Sequence, residues 1–343
     1  MRPKKNTVTL KNIARVAGIS VAAVSKALHN KPDISTKTVT KVRQIVKDLG
    51  YHPNIIARSL RTGKTNIIGV IIPDNCNSYN ALVLKGVEET LQKRGYTALL
   101  GNSNENAAME EKLLRSMISV KVDGILIIPV RLQNCADVNI PLVFMSRSPY
   151  LVSEYTNMDR RRFSFVVNDD RYGEYLATRH LVERGYRNIY LLVGNDDPKT
   201  VEGCMNRARI EGYKQALTEA NLSFHLGKIK DGIVDVHQSY LTALDILRND
   251  KAPIAFCTTT DYNALGVISA LNQSGLDIPR EAAVVGYDDI DLASYITPQL
   301  TTICQEKYTI GSRSAECLIE MIEGNSSPQQ TTLQPTLAIR FTT

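Results

Sequence analysis

Residues 9–28 have the sequence TLKNIARVAGISVAAVSKAL, and the spacing of its apolar side chains predicts two short helices. Apolar residues recur at helical intervals in each half and give each half one apolar face: Leu10, Ile13, Ala14 and Ala17 in the first, and Ala23, Val24, Ala27 and Leu28 in the second. Thr9 and Ser20 favour helix N-termini, and Gly18 favours a helix end. Two short helices joined by a turn of three or four residues containing Gly are typical of a helix-turn-helix.

A small helical hairpin without a binding role would show the same spacing of apolar residues. The distribution of charge along the chain distinguishes the two interpretations. Residues 1–66 contain 14 lysines and arginines against only Asp33 and Asp48, a net charge of +12, whereas residues 67–343 carry −6. A basic segment on a mildly acidic body is expected of an anion-binding module joined to a part with another task. The predicted helices have an exposed, non-aromatic face, and they have no spare bulky apolar residues for a membrane surface. We therefore predict that the anion is nucleic acid.

Length and composition limit the class of protein. The 343 residues allow two or three domains, and 43% hydrophobic residues suffice for a sizeable core. The N-terminal residues lead into polar sequence without an apolar segment, so we expect no secretory signal. Apolar runs such as 67–72 and 124–130 are too short to span a bilayer. The six cysteines are scattered without a C-x-x-C pair, which favours buried thiols in a reducing cytoplasm over disulfides or a metal site. We expect a cytoplasmic protein without a metal or other cofactor.

The rest of the basic segment completes a small headpiece. Ser35 is expected to cap a third helix at residues 36–49, and Gly50 to end it. Asn54 can cap one more short helix, from Ile55 to Arg61, which is too short to be stable alone in water. We therefore assign residues 1–53 to an all-α helix-turn-helix headpiece and residues 54–66 to a hinge helix and linker.

From residue 67 onward, strand-like and helix-like runs alternate. The expected strands are 67–72, 96–100, 124–128, 141–145, 165–168, 188–193, 254–257, 283–285 and 337–341, and the expected helices are 79–94, 109–119, 172–184, 206–220, 236–247, 263–273 and 308–323. Repeated β-α units with near-continuous Val, Ile and Leu strands imply parallel sheets covered by helices.

The strands are too many for one comfortable sheet, so we predict a two-lobed α/β core over residues 67–343. We assign residues 67–165 and 305–333 to an N-lobe, and residues 166–304 and 334–343 to a C-lobe. Ligands of such lobes bind beyond the carboxyl ends of the strands. The predicted cleft therefore lies between the two lobes.

Seven blocks of the sequence resemble the lactose-repressor (LacI) family of bacterial transcription regulators, in the same order and at similar separations. They are residues 9–28, 50–60 (GYHPNIIARSL), 68–74 (IGVIIPD), 122–125 (VDGI), 207–213 (RARIEGY), 284–289 (VVGYDD) and 297–302 (TPQLTT). The resemblance covers essentially the whole chain. It implies a homodimer with a headpiece, a hinge helix and a core like that of periplasmic sugar-binding proteins. It also implies a small effector that changes the affinity for DNA.

The resemblance places base contacts on the second helix of the headpiece, which enters the major groove in this motif. The positions are Val21, Ala22 and Lys26. Val21 and Ala22 can offer only apolar contact to thymine methyl groups, whereas Lys26 can reach O6 and N7 of a guanine. The alternative, that Val21 and Ala22 are helix core, is weakened because other residues already fill the inward face. Phosphate contacts, which position a module without specifying sequence, are expected from Ser20, Ser25 and Asn30.

The resemblance also implies a DNA contact from the hinge. Leu60 resembles the family's wedge, which enters the minor groove at the operator centre and kinks the DNA, with Ala57 beside it. Such an insertion costs a few kcal/mol in unstacking and gains contacts through the bend. An ordinary linker residue is the alternative for Leu60. The symmetry of a dimer makes the expected target a palindromic operator.

An effector site in the cleft is also implied. Its expected residues are Asn77, Tyr79, Asn80, Ser146, Arg207, Thr260, Asp261, Asp288 and Gln305. Arg207 offers a fork of donors and Asp288 a pair of acceptors, which suits vicinal hydroxyls or a polar heterocycle. A salt bridge between the lobes is the alternative for Arg207.

Three departures from the family pattern concern this site. The usual Asn-Pro-Phe-Phe block is Asn77-Ser78-Tyr79-Asn80, Val234 replaces the aromatic that often stacks on a sugar ring, and Ser146 replaces the Asp that usually precedes an Arg. These changes argue against a common hexose pocket. A sugar or sugar derivative is nevertheless the default expectation.

Sequence motifs of common enzyme classes do not support a catalytic function. The chain has no G-x-S-x-G or H-E-x-x-H motif, and its five histidines do not cluster along the sequence. Residues 63–65, Gly-Lys-Thr, lack the first Gly of a phosphate-binding loop. We predict a transcriptional regulator and expect a repressor, with an architectural DNA-bending protein as the alternative and a sugar-processing enzyme less favoured. An effector-dependent change in operator affinity would separate the first two.

Assembly and regulation are partly open. The C-terminal segment has no leucine heptads, so we expect a homodimer and no tetramer. The sequence leaves open whether the effector releases or strengthens operator binding, and whether a co-repressor protein takes part.

Overall fold

The computed structural model describes residues 8–28, 31–51, 63–147, 164–195, 200–325 and 328–343. The chain divides into two compact units, Met1–Thr65 and Asn66–Thr343. Within the described ranges, no helix combines the length and apolar character that crossing a bilayer requires. The predicted hinge helix at 55–61 lies outside the described residues, as do Asn30, Ala57 and Leu60.

The first unit contains the three predicted headpiece helices, α1 (Leu10–Ala17), α2 (Val21–Leu28) and α3 (Thr36–Asp48). Local chemistry sets their ends. The Thr9 backbone N–H donates to Asn12 Oδ1 at 2.9 Å, and Gly18 ends α1 in the left-handed conformation, with φ 69°. Each helix contributes completely buried apolar side chains to a shared core: Ile13 from α1, Val24 and Ala27 from α2, and Val42 from α3. The predicted helix-turn-helix is confirmed.

The second unit alternates strands and helices. Its elements are β1 (Ile67–Ile72), α4 (Ser78–Lys93), β2 (Thr97–Asn102), α5 (Ala107–Ser119), β3 (Gly124–Ile127), β4 (Leu142–Ser146), β5 (Ser164–Asn168), α6 (Asp170–Glu183), β6 (Ile189–Leu192), α7 (Val201–Glu219), β7 (Ile229–Lys230), α8 (Val236–Asn249), β8 (Ile254–Thr258), α9 (Asp261–Gln273), β9 (Ala282–Asp288), β10 (Thr301–Cys304), α10 (Lys307–Glu323), β11 (Gln330–Leu333) and β12 (Thr336–Ala338). Single turns of 3₁₀ helix lie at Leu132–Cys135, Leu226–Lys228 and Asp291–Ser294.

These strands form two six-stranded sheets, ordered β11-β5-β4-β3-β1-β2 and β12-β10-β9-β8-β6-β7. Neighbouring strands are parallel, except that β12 runs antiparallel to β10. The central strands of both sheets are buried on both faces, as near-continuous Val, Ile and Leu runs require. The predicted two-lobed α/β core with parallel sheets is confirmed.

The predicted boundary between the lobes lies close to the point where the chain leaves the first sheet. The boundary at 165/166 falls inside β5, which pairs with β4 from Ser164 to Val167 and with β11 from Phe165 to Asn168. The chain therefore leaves the first sheet after Asn168. Strands of both lobes have the same apolar composition, so the sequence pattern does not reveal which sheet a strand joins.

Three strands were not predicted, namely β7, β10 and β11. The clearest case is β10, whose Thr301 and Thr302 are completely buried although their side chains are polar. Their hydroxyls find partners: Thr302 Oγ1 donates to Asp261 Oδ1 at 2.5 Å, and Thr301 Oγ1 lies 2.9 Å from Thr343 Oγ1. Helix α7 also begins earlier than predicted, because Thr200 Oγ1 caps it by accepting from the Gly203 N–H at 3.0 Å.

Candidate functional site

A cavity of about 530 Å³ lies between the two lobes of the second unit. Its walls come from the carboxyl ends of strands in both sheets: Pro73 and Asp74 follow β1, Ser146 ends β4, Thr259 follows β8, and Asp288 ends β9. This is the location where parallel α/β sheets bind ligands. Its volume is typical of a small-molecule site.

The cavity brings together seven of the nine residues predicted for the effector site, namely Asn77, Tyr79, Asn80, Ser146, Thr260, Asp288 and Gln305. They lie far apart in the sequence and meet because both sheets direct their carboxyl ends to the cleft. Val234, the position of the missing aromatic, also lines the cavity.

Arg207 is exposed on α7 and is not among the lining residues, whereas Arg209 lines the cavity. Two residues along a helix lie on nearly opposite sides, and the motif RARIEGY contains both arginines. Arg209 shares a buried face of α7 with Gly212, Tyr213 and Ala216. An arginine on the apolar face of a helix was the signal in the sequence that could have identified it.

Asp261 also lies outside the lining, and it is completely buried. Its Oδ2 accepts a hydrogen bond from the Ile290 N–H at 2.8 Å, and its Oδ1 accepts from Thr302. Asp261 therefore holds the segment after β9 in place, so the structure gives it a supporting position beneath the cavity instead of a place in the wall.

Arg209 is held rigidly. Its Nε and Nη2 donate to Asp170 Oδ1 at 3.1 and 2.9 Å, and its Nη1 donates to the Thr259 carbonyl oxygen at 2.8 Å. The guanidinium carbon lies 4.0 Å from the centroid of the Tyr287 ring. Burial alone would lower the pKa of Arg209, but the nearby Asp170 carboxylate and Tyr287 hold that pKa above its ordinary value. The site therefore contains a permanent cation that is already neutralised by Asp170.

The N-lobe supplies a second arginine that the sequence did not predict. Arg147 is 9% exposed, and its Nη1 donates to Glu105 Oε2 at 2.9 Å and to the Pro129 carbonyl oxygen at 3.1 Å. Its Nη2 forms a second ion-pair contact with Glu105. Arg147 is thus bound to a carboxylate of its own lobe.

Asp288 is placed by an unusual backbone conformation, with φ 117°. The Lys307 ammonium stabilises this turn by donating to the carbonyl oxygens of Asp288 and Asp289. Asp288 Oδ1 accepts from Gln305 Nε2 at 2.6 Å, and Gln305 Oε1 accepts from Asn168 Nδ2 at 2.5 Å. Burial, reinforced by the neighbouring Asp261 carboxyl, raises the pKa of Asp288 to about 8.

The free energy of unfolding is expected to fall as pH rises toward 8. Burial raises the pKa values of Asp288 and Asp261 to about 8 and about 7, from an ordinary 3.8. The folded state therefore binds more protons than the unfolded state in this window, and each group costs about 1.4 kcal/mol per pH unit. Asp288→Asn should reduce this slope in urea unfolding at a series of pH values. Asp245→Asn, an exposed carboxyl on α8, is the matched control, and equal slopes in both variants would contradict the prediction.

The headpiece exposes the predicted base-contacting residues. Val21 is 39% exposed, and Ala22 and Lys26 are also exposed, whereas Val24 and Ala27 are completely buried. Val21 and Ala22 are therefore surface and not helix core. Ser20 Oγ accepts from the Ala23 N–H at 3.1 Å, which caps α2.

Lys26 has an acidic partner on this surface. Its ammonium forms an ion pair with Asp33, one of the two acidic residues of the basic segment. The hydrogen bond from Lys26 holds the pKa of Asp33 below its ordinary value. Both side chains are about half exposed, so Lys26 can leave Asp33 for another partner at little cost.

Metal binding has no support in the described ranges of the chain, where no three His, Cys, Asp or Glu residues are grouped to hold a metal ion.

Comparison with protein families gives two matches. Residues 9–54 match the bacterial regulatory proteins of the lacI family, and residues 178–343 match a periplasmic binding protein-like domain. Among curated proteins, the HTH-type transcriptional repressor PurR of Vibrio campbellii is 31% identical over 339 residues, covering 97% of this chain and 98% of that protein. The ribose operon repressor of Haemophilus influenzae is 32% identical over 337 residues, covering 97% of each.

Solved structures share the fold over nearly the whole chain. The lac repressor dimer bound to operator and the anti-inducer ONPF has a TM-score of 0.85 at 24% identity, covering 98% of this chain and 99% of that chain. The lac repressor bound to ONPG has a TM-score of 0.84 at 25% identity, covering 98% and 100%. The complex of the transcriptional regulator CelR with cellobiose has a TM-score of 0.71 at 25% identity, with the same coverage.

Proposed function

Because the chain belongs to the lacI family of bacterial regulatory proteins, we propose that it is a sequence-specific transcriptional repressor that binds a palindromic operator as a homodimer. Its affinity for the operator depends on a small effector in the core cavity. One observation carries the proposal: a single chain joins a basic helix-turn-helix, with an exposed face on its second helix, to a two-lobed core with a cavity of ligand size.

The DNA contacts are proposed for the exposed face of α2. Val21 and Ala22 provide apolar contact to thymine methyl groups, and Lys26 contacts a guanine. Ser20, Ser25 and Asn30 contact phosphates, and the hinge residue Leu60, with Ala57 beside it, enters the minor groove. The lac repressor, which shares the fold, is a dimer bound to operator in its crystal structure, and we extend that arrangement to this chain.

The effector is proposed to bind to the seven predicted lining residues together with Arg209. ONPF, ONPG and cellobiose occupy related regulators, which makes a sugar or sugar derivative the starting expectation. Effector binding changes operator affinity if the effector favours one closure of the two lobes and that closure favours one state of the DNA-binding part. The shift in operator affinity then equals the effector's preference for that state.

The cavity is proposed to bind its ligand without converting it. The described lining contains no histidine, and the family to which the chain belongs is one of regulatory proteins. A regulator of chromosomal DNA acts where that DNA is, so we place it in the cytoplasm. The full-length similarity to repressors does not favour an architectural DNA-bending protein.

Selection of duplexes from a random DNA pool by the full-length protein tests the proposed function. We expect recovery of one palindromic sequence, bound by two chains. Retention of random duplexes without sequence preference would contradict a specific regulator. An operator complex that no metabolite strengthens or weakens would favour the architectural alternative.

Lys26→Ala is expected to relax base specificity. Loss of a good base contact costs about 1–3 kcal/mol of discrimination, or roughly a 5- to 150-fold change in the ratio of operator to single-substituted operator affinity. Measurement of that ratio for each operator position should locate one guanine whose substitution no longer matters. Lys47→Ala, an exposed lysine near the end of α3, is the control and should change all affinities equally. An unchanged specificity profile in Lys26→Ala would exclude the base contact.

A further inference from the structure

Three charged residues of the cavity wall come from different lobes. Glu105 lies between β2 and α5, and Arg147 follows β4, so both belong to the N-lobe. Glu202 lies in the first turn of α7 and belongs to the C-lobe. All three line the cavity. An arginine of one lobe and a glutamate of the other therefore border the same space.

Arg147 keeps bonding capacity after its contacts within the N-lobe. Its Nη1 donates to Glu105 and to the Pro129 carbonyl oxygen, and its Nη2 donates once to Glu105. These bonds use three of the five N–H groups of a guanidinium. Within the described contacts, the Nε–H and the second Nη2–H of Arg147 therefore remain for a further acceptor.

The Glu202 carboxyl group has a defined position on the C-lobe side of the cavity. It packs on the backbone after β6, where a Cβ at Gly194 would collide with Glu202 Oε1. The Asn195 backbone also donates a hydrogen bond to it. Among the ion pairs of the described residues, none includes Glu202. In the present arrangement of the lobes, Glu202 and Arg147 are thus close but not bonded.

The charge that acts most strongly on Glu202 belongs to the other lobe. Burial raises the pKa of Glu202, and Arg147 opposes this shift more than Glu105 reinforces it. Arg209, on the same helix as Glu202, opposes the shift less than Arg147 does. Burial would lower the pKa of Arg147, but Glu105 and Glu202 hold that pKa above its ordinary value. The attraction of Glu202 to Arg147 therefore outweighs its repulsion from Glu105.

The lobes already approach closely at another point. Ser78 Oγ, on α4 of the N-lobe, lies 3.4 Å from Tyr262 Oη, on α9 of the C-lobe. Hinge closure is a common motion of proteins that bind a ligand between two lobes. A further approach of the lobes would bring Arg147 and Glu202 into contact.

From these contacts we propose that Arg147 and Glu202 form a cross-cleft ion pair that stabilises the closed arrangement of the lobes. Arg147 then bridges Glu105 and Glu202, so that one guanidinium joins both lobes. The pair sets the fraction of closed protein before an effector binds, and the effector adds its own preference to this balance. The inference rests on the proposed function, because it concerns how lobe closure regulates operator affinity.

Amide hydrogen exchange of the full-length protein, without DNA or effector, tests the proposed closure. Glu202→Gln keeps the side-chain shape and removes the charge. We expect exchange at residues 103–106 to become roughly 2- to 5-fold faster, as for loss of a partly exposed ion pair, because opening admits water to the cleft. These residues belong to the N-lobe, so a local effect of the substitution on α7 would not reach them. Unchanged exchange there would overturn the inference.

Two comparisons assign a faster exchange to the ion pair. Glu211→Gln removes an exposed carboxyl group from the same helix and should leave exchange at residues 103–106 unchanged. In an Arg147→Met background, Glu202→Gln should add nothing, because its partner is already absent. Glu105 is about half exposed, so its charge stays hydrated and the N-lobe stays folded in that background. Equal effects of Glu202→Gln with and without Arg147, or an equal effect of Glu211→Gln, would overturn the inference.

Operator affinity of the effector-free variants keeps the two proposals separate. Glu202→Gln should change the affinity for the selected palindrome by up to about 5-fold, and Arg147→Met should change it in the same direction. A cleft that opens in Glu202→Gln without any change in operator affinity supports the ion pair and contradicts the coupling in the proposed function. A cleft that does not open overturns the ion pair and leaves the DNA-binding function intact.

Discussion

Arg209→Met is expected to lower the free energy of unfolding of the core by about 3–5 kcal/mol, because it leaves Asp170 as an uncompensated buried charge. Arg209 and Asp170 are each 4% exposed. The guanidinium also bonds the Thr259 carbonyl oxygen and packs on the face of the Tyr287 ring. Urea unfolding followed by circular dichroism would measure the loss as a shift of the midpoint.

Arg207→Met is the matched control for this experiment. Arg207 lies two positions earlier on the same helix and is exposed, so its replacement should change the free energy of unfolding by no more than about 0.5 kcal/mol. The double variant Arg209→Met, Asp170→Asn removes both charges and should recover part of the loss. Equal losses in the two single variants would show that the buried pair has no special role.

Operator affinity is expected to fall by roughly 10³- to 10⁵-fold between about 50 and 200 mM salt, if the dimer contacts 6–10 phosphates. The physical reason is the net charge of +12 on residues 1–66 of each chain, which releases counterions from the DNA on binding. Fluorescence anisotropy with the selected palindrome would give the slope of log affinity against log salt.

A scrambled duplex of the same length is the control for the salt experiment. Its affinity should fall with a comparable slope, while the ratio between palindrome and scrambled duplex changes much less, because base contacts release few ions. A slope near zero for the palindrome would mean that the basic segment does not face the phosphate backbone.

Helix ends and buried faces of the headpiece were predictable because they depend on neighbours within a few residues. Ser35 caps α3 through the Thr38 N–H, as expected from its residue type. The exposed position of Val21 and Ala22 followed from helical periodicity once Val24 and Ala27 were assigned to the core. Such local relations need no knowledge of the remaining chain.

The charged wall of the cavity was not predictable in the same way. Glu105 and Glu202 stand in sequence contexts typical of solvated helix ends, and nothing local relates either to Arg147 or Asp288. Glu105 meets Arg147 within the N-lobe, through residues 42 positions apart, and the approach of Glu202 to this pair depends on how the two sheets face one another across the cleft. The sequence placed an arginine of the motif RARIEGY at the cavity as Arg207, whereas Arg209 lines it. A motif gives the residue type, but the rotation of the packed helix decides which of its arginines faces the cavity.

By itself the sequence determined the class of the molecule: a basic three-helix headpiece, parallel α/β lobes and membership of a regulator family, because periodicity, caps and charge are written in short stretches. Only the tertiary structure decided which side chains face the cleft and which charges lie next to one another there. Electrostatic balance is a sum over residues that are distant in the chain and close in space, so it arises only when both lobes are folded.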